Sequence, residues 1–448
     1  MYDAISAEEK GVPAVALIAE GFKDDARSAA SSRSMPGARW IPTIIPPEAT
    51  KMEEIEAGVE DCFDEVINAL LTPLNDEEKS PEPKKVETPS RIIFKGNLDD
   101  VNLFFYRRGW TDGFPVIPPT EEKVAEMLTG TDLPPDMLLG KLLPRMGKMT
   151  VEKIAVNAAM AGALPTHMPV ILAAARLLLD SEMGFRGFCT FGVSTGSWAP
   201  FWVINGPIRN EINLNYKSGV LSPGNIANAT IGRAIGLIIK NIGGVRKGIE
   251  DMGVMGNPMK YTMVMAENEE ESPWEPMNTD FGFNKEDNTI AISFPQSWIQ
   301  NYPPRNDDDA ILRSLTNYLI PGMMHTVIFP PVHARTLAKD GWNKQDIKEF
   351  IREYARMPVA DRTSASGPGP AKLFKGKIDA RLGETVPIIN DIRTVRVMVA
   401  GGPGAFIAQA VGGGPTPGKS EIRKIELPEN WDKLVAKYKN IVPNHVRY

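Results

Sequence analysis

Helix-type and strand-type segments alternate through the first 72 residues, and this alternation constrains the fold more than any other feature of the sequence. Two short apolar runs, at residues 14–19 (AVALIA) and 40–45, have the length and composition of strands. A continuous apolar run such as AVALIA is typical of a strand that is buried on both faces of a sheet. Helical patterns flank these runs at residues 3–11, 22–32 and 51–71. The order α-β-α-β-α predicts a parallel sheet that is covered by helices.

Two strands are too few to make this front module stable by itself. A parallel ladder needs neighbouring strands and cover on both faces. The module also begins with a helix, at a position where a strand would ordinarily come first. We expect residues 1–74 to be the later part of an α/β domain, whose earlier part lies on a partner chain or upstream of Met1. The chain is accordingly expected to work as an oligomer.

A charged, proline-rich segment separates the front module from the rest of the chain. Residues 75–90 (NDEEKSPEPKKVETPS) contain almost no large apolar groups, which is typical of an exposed linker. Residues 91–448 mix helix-type and strand-type segments without an internal repeat. They predict one large, mixed α/β body domain, which we expect to bind the substrate.

The composition excludes several classes of protein. The net charge of −6 argues against a nucleic-acid-binding surface, which needs a basic face. No apolar run approaches the ~20 residues that a membrane span requires. With two cysteines and no secretion signal at the N-terminus, the chain has no disulfide framework, and a reducing cytoplasm is the expected location.

Both cysteines are predicted to be buried and unreactive. Cys62 lies on the apolar stripe of a helical pattern, and Cys189 lies in a strand-type run between aromatic residues. Burial among apolar groups raises the pKa of a thiol and blocks access to it. We therefore expect neither residue to be a nucleophile.

Polar residues follow two strand-type segments of the body. Asn205 and Arg209 follow the apolar run FWVI, and Glu267 and Glu270 follow a second apolar run, within AENEEESPWEP. Proteins of the α/β class commonly bind ligands at strand ends, where a carboxylate serves as acid or base and an arginine pairs with an anion. The alternative is a helix-starting turn at Asn205 and a solvated acidic loop around Glu267.

Three further residues are candidates for the same chemistry. Asn228 and Arg233 lie near the start of a helix in NATIGRA, where Arg233 would reach the pocket of Arg209 and Gly232 indicates close packing against a neighbour. His333 follows two prolines in the first turn of a helix, and histidine is the usual acid or base near neutral pH. A structural role is the alternative for each. We expect one pocket to be lined by Asn205, Arg209, Arg233 and Glu267.

No metal site or cofactor motif is evident. The histidines lack the HxH or HExxH spacing of a metal site. The glycine-rich stretch at residues 401–414 offers Gly402 and Gly404, but Ile407 stands where a dinucleotide-binding motif needs its third glycine. We expect a tight turn with close backbone packing there, and we assign no metal and no cofactor.

Several longer words of the sequence resemble the UGSC-type (seleno)protein family. In the front module they are DAISAEEKGVPAVALIAEGF and MPGARWIPTIIP, and in the body they include GWTDGFPVIPPTEEKVAEML, NGPIRNEI, NATIGRA and KYTMVMAENEEESPWEP. The family is named for a motif of selenocysteine or cysteine, then Gly, Ser and Cys, at the end of a strand. The front module resembles the part of that domain just after the motif. The motif itself is absent from this sequence.

The resemblance implies thiol or selenol redox chemistry on a small organic substrate. The missing part of the domain would supply the motif, and the body would supply the pocket. Two other functions stay open. One is a non-redox lyase or hydrolase that uses Glu267 and His333, and the other is a noncatalytic binding or scaffold subunit.

Overall fold

The computed structural model describes residues 1–45, 51–76, 90–180, 192–358, 385–414 and 421–440. Its front module contains α1 (Tyr2–Glu8), β1 (Val15–Ala19), α2 (Lys23–Ser32), β2 (Arg39–Thr43) and α3 (Met52–Leu71). β1 and β2 pair in parallel, from Val15 opposite Arg39 to Ala19 opposite Thr43. The predicted order α-β-α-β-α is confirmed, and among the described residues this sheet has two strands.

The front module buries a small core and leaves a second apolar surface in solvent. Ile5 of α1 is 1% exposed, and Cys62 of α3 is buried, where its thiol donates a hydrogen bond to the Gly58 carbonyl oxygen at 3.2 Å. The burial predicted for Cys62 is confirmed, whereas Cys189 lies outside the described residues. Other apolar residues of β1 and α3 are exposed: Leu17, Val59, Phe63, Ile67 and Leu71. An apolar surface of this kind is typical of a contact site.

Helices and strands alternate irregularly through the body, which confirms the predicted mixed α/β class. Many helices begin at a local cap, as at Thr120, Thr150 and Asn225, whose side chains each accept a hydrogen bond from the backbone N–H three residues later. In chain order the elements are α4 (Leu98–Arg107), α5 (Glu121–Leu128), β3 (Leu138–Leu142), β4 (Gly147–Thr150), α6 (Val151–Ala161), α7 (Met168–Leu178), β5 (Phe201–Asn205), α8 (Ile208–Glu211), α9 (Ile226–Asn241), β6 (Val264–Ala266), β7 (Thr289–Asn301), α10 (Asp308–Thr316), β8 (Met324–Phe329), α11 (Pro331–Lys339), α12 (Lys344–Tyr354), β9 (Arg356–Pro358), β10 (Thr385–Pro387), β11 (Val395–Val399), β12 (Ile407–Gly413), β13 (Ile422–Lys424) and α13 (Trp431–Tyr438).

The glycine-rich stretch differs from its prediction. Residues 407–413 form β12, so the predicted turn is wrong for this half of the stretch. The predicted close packing is confirmed at Gly412, because a Cβ atom there would lie 2.3 Å from the carbonyl oxygen of Phe294 in β7. Glycine permits this approach of two backbones where any side chain would separate the strands.

The large sheet of the body has the strand order β11-β8-β12-β7-β5-β6. The long strand β7 joins its two parts: residues 289–293 pair with β5, and residues 294–301 pair with β12. β13 pairs with the first part of β7 on the side away from β5. β5 and β6 are parallel to each other, as are β8 and β11.

The sheet curls on itself, so that its two edge strands approach each other. Arg396 of β11 donates a hydrogen bond at 2.9 Å to the carbonyl oxygen of Ile292 in β7, although two strands separate β11 from β7 in the sheet. At the end of β6, the Asn268 N–H donates to the Val399 carbonyl oxygen at 2.7 Å. The concave face therefore encloses its own core, which includes Phe201, Met265, Ile328 and Met398.

Two groups of helices cover the convex face of the curled sheet. Trp202 and Ile204 of β5 pack in one cluster with residues of α6, α7 and α9, whereas Val327 and Phe329 of β8 pack with residues of α10, α11 and α12. Alternate residues of each strand thus lie in different cores, as the two-residue repeat of a strand requires. Within the described residues, no helix has both the length and the apolar character to cross a membrane.

Candidate functional site

The parallel strands β5 and β6 bring a group of polar side chains together where they end. β5 ends at Asn205 and leads into α8, and β6 ends one residue before Glu267. Neighbouring parallel strands end at the same edge of a sheet, so the segments that follow them meet. We call Asn205, Arg209, Glu267, Glu269 and Glu270 the strand-end cluster.

Arg209 holds the strand-end cluster together. It is 3% exposed, and its guanidinium group donates to the carbonyl oxygens of Gly206 at 2.9 Å and Glu267 at 2.7 Å. It also pairs with the carboxylates of Glu270 at 3.2 Å and Glu269 at 2.8 Å. All five N–H groups of an arginine are engaged by such a set of acceptors. The arrangement favours a positioning role, and the predicted pairing of Arg209 with a substrate anion stays a prediction.

Glu267 is the buried carboxyl group of the cluster. One of its oxygens accepts hydrogen bonds from the Asn205 amide at 2.5 Å and from the Met277 N–H at 2.7 Å. Burial raises the pKa of Glu267 to about 7, although the charge of Lys344 and these hydrogen bonds act in the opposite direction. A carboxyl group with this pKa exchanges its proton near neutral pH, which is the property of a general acid or base.

Two other predicted site residues, Asn228 and His333, make no hydrogen bond to Glu267 within the residues that the structure describes. Among the described residues, the Asn228 side chain bonds to backbone groups, among them the N–H of Asn215 at 2.9 Å and the carbonyl oxygen of Val264 at 3.1 Å. His333 is fully buried, and neither of its ring nitrogens has a hydrogen-bond partner in the described part of the chain. Burial lowers the pKa of His333 to about 4, so its ring is neutral at pH 7. Glu267 and His333 therefore share no hydrogen bond.

Arg233 lies in a different place, on a cavity of about 800 Å³ beside α9. Its guanidinium group pairs with both carboxylate oxygens of Asp112, at 2.8 and 2.9 Å. The structure thus brings Asn205, Arg209 and Glu267 together but does not bring Arg233 to them. We call the second place the Lys240 cavity, and its charged lining residues are Asp112, Arg233, Lys240, Lys247, Asp251 and Lys260.

Two glycines shape the Lys240 cavity. A Cβ atom at Gly232 would lie 2.2 Å from the hydroxyl oxygen of Thr262, and one at Gly236 would lie 3.2 Å from the Lys260 carbonyl oxygen. The segment at residues 258–262 therefore packs directly on α9, as the glycine within NATIGRA predicted. The lysines of the cavity were missed, because isolated lysines far apart in sequence carry no motif. The glycine pair, one turn apart on the helix, is the signal from which this wall could have been found.

The front module docks beside this cavity. Ser28 of α2 donates a hydrogen bond at 2.6 Å to Glu250 of the body, and Arg246 donates to Ser28 at 3.2 Å. Burial opposes the ionisation of Glu250, but hydrogen bonds from Arg246 and Ser28 outweigh burial and leave its pKa below the usual value. Burial and the Glu250 charge raise the pKa of Asp25, on the same helix, to about 6. The body segment 245–251 thus contacts α2 and also contributes residues to the cavity wall.

Within the described residues, no group of three or more His, Cys, Asp or Glu side chains is arranged to hold a metal ion. Comparison with known proteins gives one match: a family model described as the UGSC family fits residues 1–72. No curated protein and no solved structure matches the chain. The match covers the front module and ends before the body.

Proposed function

Residues 1–72 form a UGSC family domain, and on this premise we propose that the chain is a component of a thiol- or selenol-dependent redox enzyme. Its substrate is a small organic molecule, which binds in the Lys240 cavity of the body. A selenocysteine or cysteine on a segment that adds to the front module performs the chemistry. A reducing compartment such as the cytoplasm suits this group, because it keeps a thiol or selenol in its reduced form.

The observation that carries the proposal is the docking of the front module at the wall of the Lys240 cavity. α2 follows β1, so the first turn of α2 lies at the edge of the β1–β2 sheet where the strands end. Asp25 lies in that first turn, and its pKa responds to the charge of Glu250 in the body. A parallel strand added beside β1 would end at the same edge. A thiol or selenol at its end would therefore face the body near the cavity.

The chemistry requires a pair of reactive groups from outside the described residues. Cys62 is buried on α3 and is not available for it. Oxidation of two thiols to a disulfide, or of a selenol and a thiol to a selenenylsulfide, releases two electrons and two protons, which the substrate takes up. The thiol or selenol reacts as its anion, which the N-terminus of a helix stabilises.

The exposed apolar surface of the front module supports the same proposal. Leu17 on β1 and Phe63 on α3 are 42% and 54% exposed. A segment that pairs with β1 and covers this surface would complete a sheet with neighbours on both sides, which a parallel sheet requires. We propose that this segment belongs to a partner chain or to a further part of the same polypeptide. If it belongs to a partner chain, the working form is an oligomer.

The test begins with the DNA around the coding sequence. We expect an in-frame selenocysteine or cysteine codon followed by Gly-Ser-Cys codons, either upstream of Met1 or in a neighbouring gene. The polypeptide that carries this motif is produced together with the present chain, and thiol-dependent reduction of a panel of small organic compounds is measured with dithiothreitol as electron donor.

A matched control replaces the reactive residues of the motif with serine. We expect reduction to require both the intact motif and the present chain, whereas Cys62→Ala leaves it within a few-fold. Equal rates with the serine variant, or with the motif polypeptide alone, would show that the proposal is wrong.

A further inference from the structure

Among the described residues, the lining of the Lys240 cavity has more cationic side chains than carboxylates. Two of its four cationic side chains have partners: Arg233 pairs with Asp112 at 2.8 Å, and Lys260 pairs with Asp251 at 2.6 Å. These pairs engage the two carboxylates of the lining. Lys240 and Lys247 remain as surplus cations.

Of these two lysines, Lys240 is the one that is partly buried. It lies in the last turn of α9, where the C-terminal end of a helix favours a positive charge. Among the described residues, its ammonium group has neither a hydrogen-bond acceptor nor an ion pair. A half-buried ammonium group without a partner is unfavourable, because burial removes water that is not replaced. Burial accordingly lowers the pKa of Lys240 from its usual value, although Asp112 and Asp251 raise it.

The rest of the wall suits the body of an organic molecule. Apolar side chains of α9, of β5 and of the residue before β6 line the cavity, including Trp202, Ile235, Ile239 and Met263. A volume of about 800 Å³ lies in the range of cavities that bind small organic molecules. Lys247 is exposed, so among the described residues Lys240 supplies the free ammonium group next to the apolar walls, and it matches a ligand with a single negative charge at one end.

We propose that the Lys240 cavity binds a small organic carboxylate, whose carboxylate group pairs with the ammonium group of Lys240. A carboxylate fits better than a phosphate ester, because a phosphate carries close to two charges and is usually held by several donors. Arg233, the strongest candidate for such a donor, already donates from Nε and Nη2 to the Asp112 carboxylate. Within the proposed redox function, on which this assignment of the substrate class rests, the carboxylate anchors the substrate beside the front module.

The experiment measures binding to the full chain alone, without any redox partner. Isothermal titration calorimetry compares benzoate with benzamide, which has the same size and no charge, and with inorganic phosphate. We expect wild type to bind benzoate about tenfold or more tightly than benzamide, the size of a charged hydrogen bond. Lys240→Met removes this preference, Lys240→Gln serves if the methionine variant does not fold, and Lys240→Arg retains part of it.

The matched control is Lys433→Met, which removes an exposed lysine of α13 outside the cavity and leaves the preference for benzoate unchanged. Equal affinities of wild type for benzoate and benzamide, tighter binding of phosphate than of benzoate, or an undiminished preference in Lys240→Met would each overturn the proposal. The two proposals can fail separately. If the chain binds the carboxylate but shows no reduction together with the polypeptide that carries the UGSC motif, the binding site is supported and the redox function is wrong.

Discussion

Glu267 lies in the loop that Arg209 contacts, yet the groups that surround the two charged side chains differ. Arg209 forms ion pairs with the carboxylates of Glu269 and Glu270, so its buried positive charge is neutralised. Glu267 is bonded to neutral donors, the Asn205 amide and backbone N–H groups. A buried carboxyl group without a cation in contact favours its protonated form. At the scale of the residue, the strand-end cluster therefore joins a fixed arginine to a carboxyl group that exchanges its proton near neutral pH.

Glu267→Gln is expected to change how stability depends on pH. The pKa of Glu267 is about 7 in the folded chain, against an ordinary value of 4.5. A carboxyl group with a raised pKa stabilises the folded state at low pH, and this contribution is lost as the pH rises through about 7. The free energy of unfolding of the variant, relative to wild type, should rise by about 1–3 kcal/mol between about pH 5 and pH 8.

Urea denaturation at both pH values measures this difference. Glu122→Gln, which replaces an exposed carboxylate on α5, is the matched control and should show no comparable change. If wild type and Glu267→Gln kept the same difference in stability at both pH values, Glu267 would not hold the proton assigned to it.

The contact between α9 and the segment at residues 258–262 shows how one element shapes a wall of the cavity. Gly232 and Gly236 lie one turn apart on α9 and leave room for this segment to approach the helix axis. Across this contact, the Thr262 hydroxyl group donates a hydrogen bond to the Asn228 carbonyl oxygen at 3.1 Å. Two small residues at helical spacing thus set the position of Lys260 and of the neighbouring wall.

Gly232→Ala is expected to lower stability by about 1–3 kcal/mol, as in other overpacked cores. The added Cβ atom would lie 2.2 Å from the Thr262 hydroxyl oxygen and 2.9 Å from a methyl carbon of Val264, so β6 and the segment before it must shift. Chemical denaturation measures the loss, and benzoate affinity should fall with it. Gly404→Ala is the control, since nothing lies within 4 Å of a Cβ atom at that position. Equal stabilities of the two variants would mean that the segment yields freely and does not depend on the contact.

At the scale of the whole molecule, the chain combines a large body that has its own cores with a small front module that has a two-stranded sheet. The body encloses one core inside its curled sheet and two more beneath its helices. The front module has a two-stranded parallel sheet, an exposed apolar surface on α3 and polar contacts to the body through Ser28. We therefore expect its stability to depend on what it contacts.

Residues 1–72, produced alone, are expected to lack a cooperative unfolding transition. Isolation removes the contact of Ser28 with Glu250 and leaves both edges of the β1–β2 sheet without the neighbours that a parallel sheet needs. Far-UV circular dichroism during heating, together with sedimentation analysis, checks this expectation, and the full chain is the control. A monomeric fragment with a sigmoidal transition would show that the module is complete without a partner segment.

Local pattern alone determined much of the element order and part of the site. The alternation of segments in residues 1–72 follows from periodicity, which is a property of neighbouring residues. Asn205 and Glu267 were predicted to lie together, and they do, because each ends a strand and the two strands are parallel neighbours.

Other features depended on contacts between residues that are far apart in the sequence. The sheet curls because its two parts bury a common core, as the bond from Arg396 to Ile292 illustrates, and no local pattern encodes that approach. The stripe on α3 predicts burial, yet Phe63 is exposed. Arg233 and Lys240 are equally basic in the sequence, but Asp112 neutralises the first and nothing described pairs with the second. A charged side chain is free to bind a ligand only where no oppositely charged neighbour pairs with it. Which side chains become neighbours is decided when distant segments of the chain pack together.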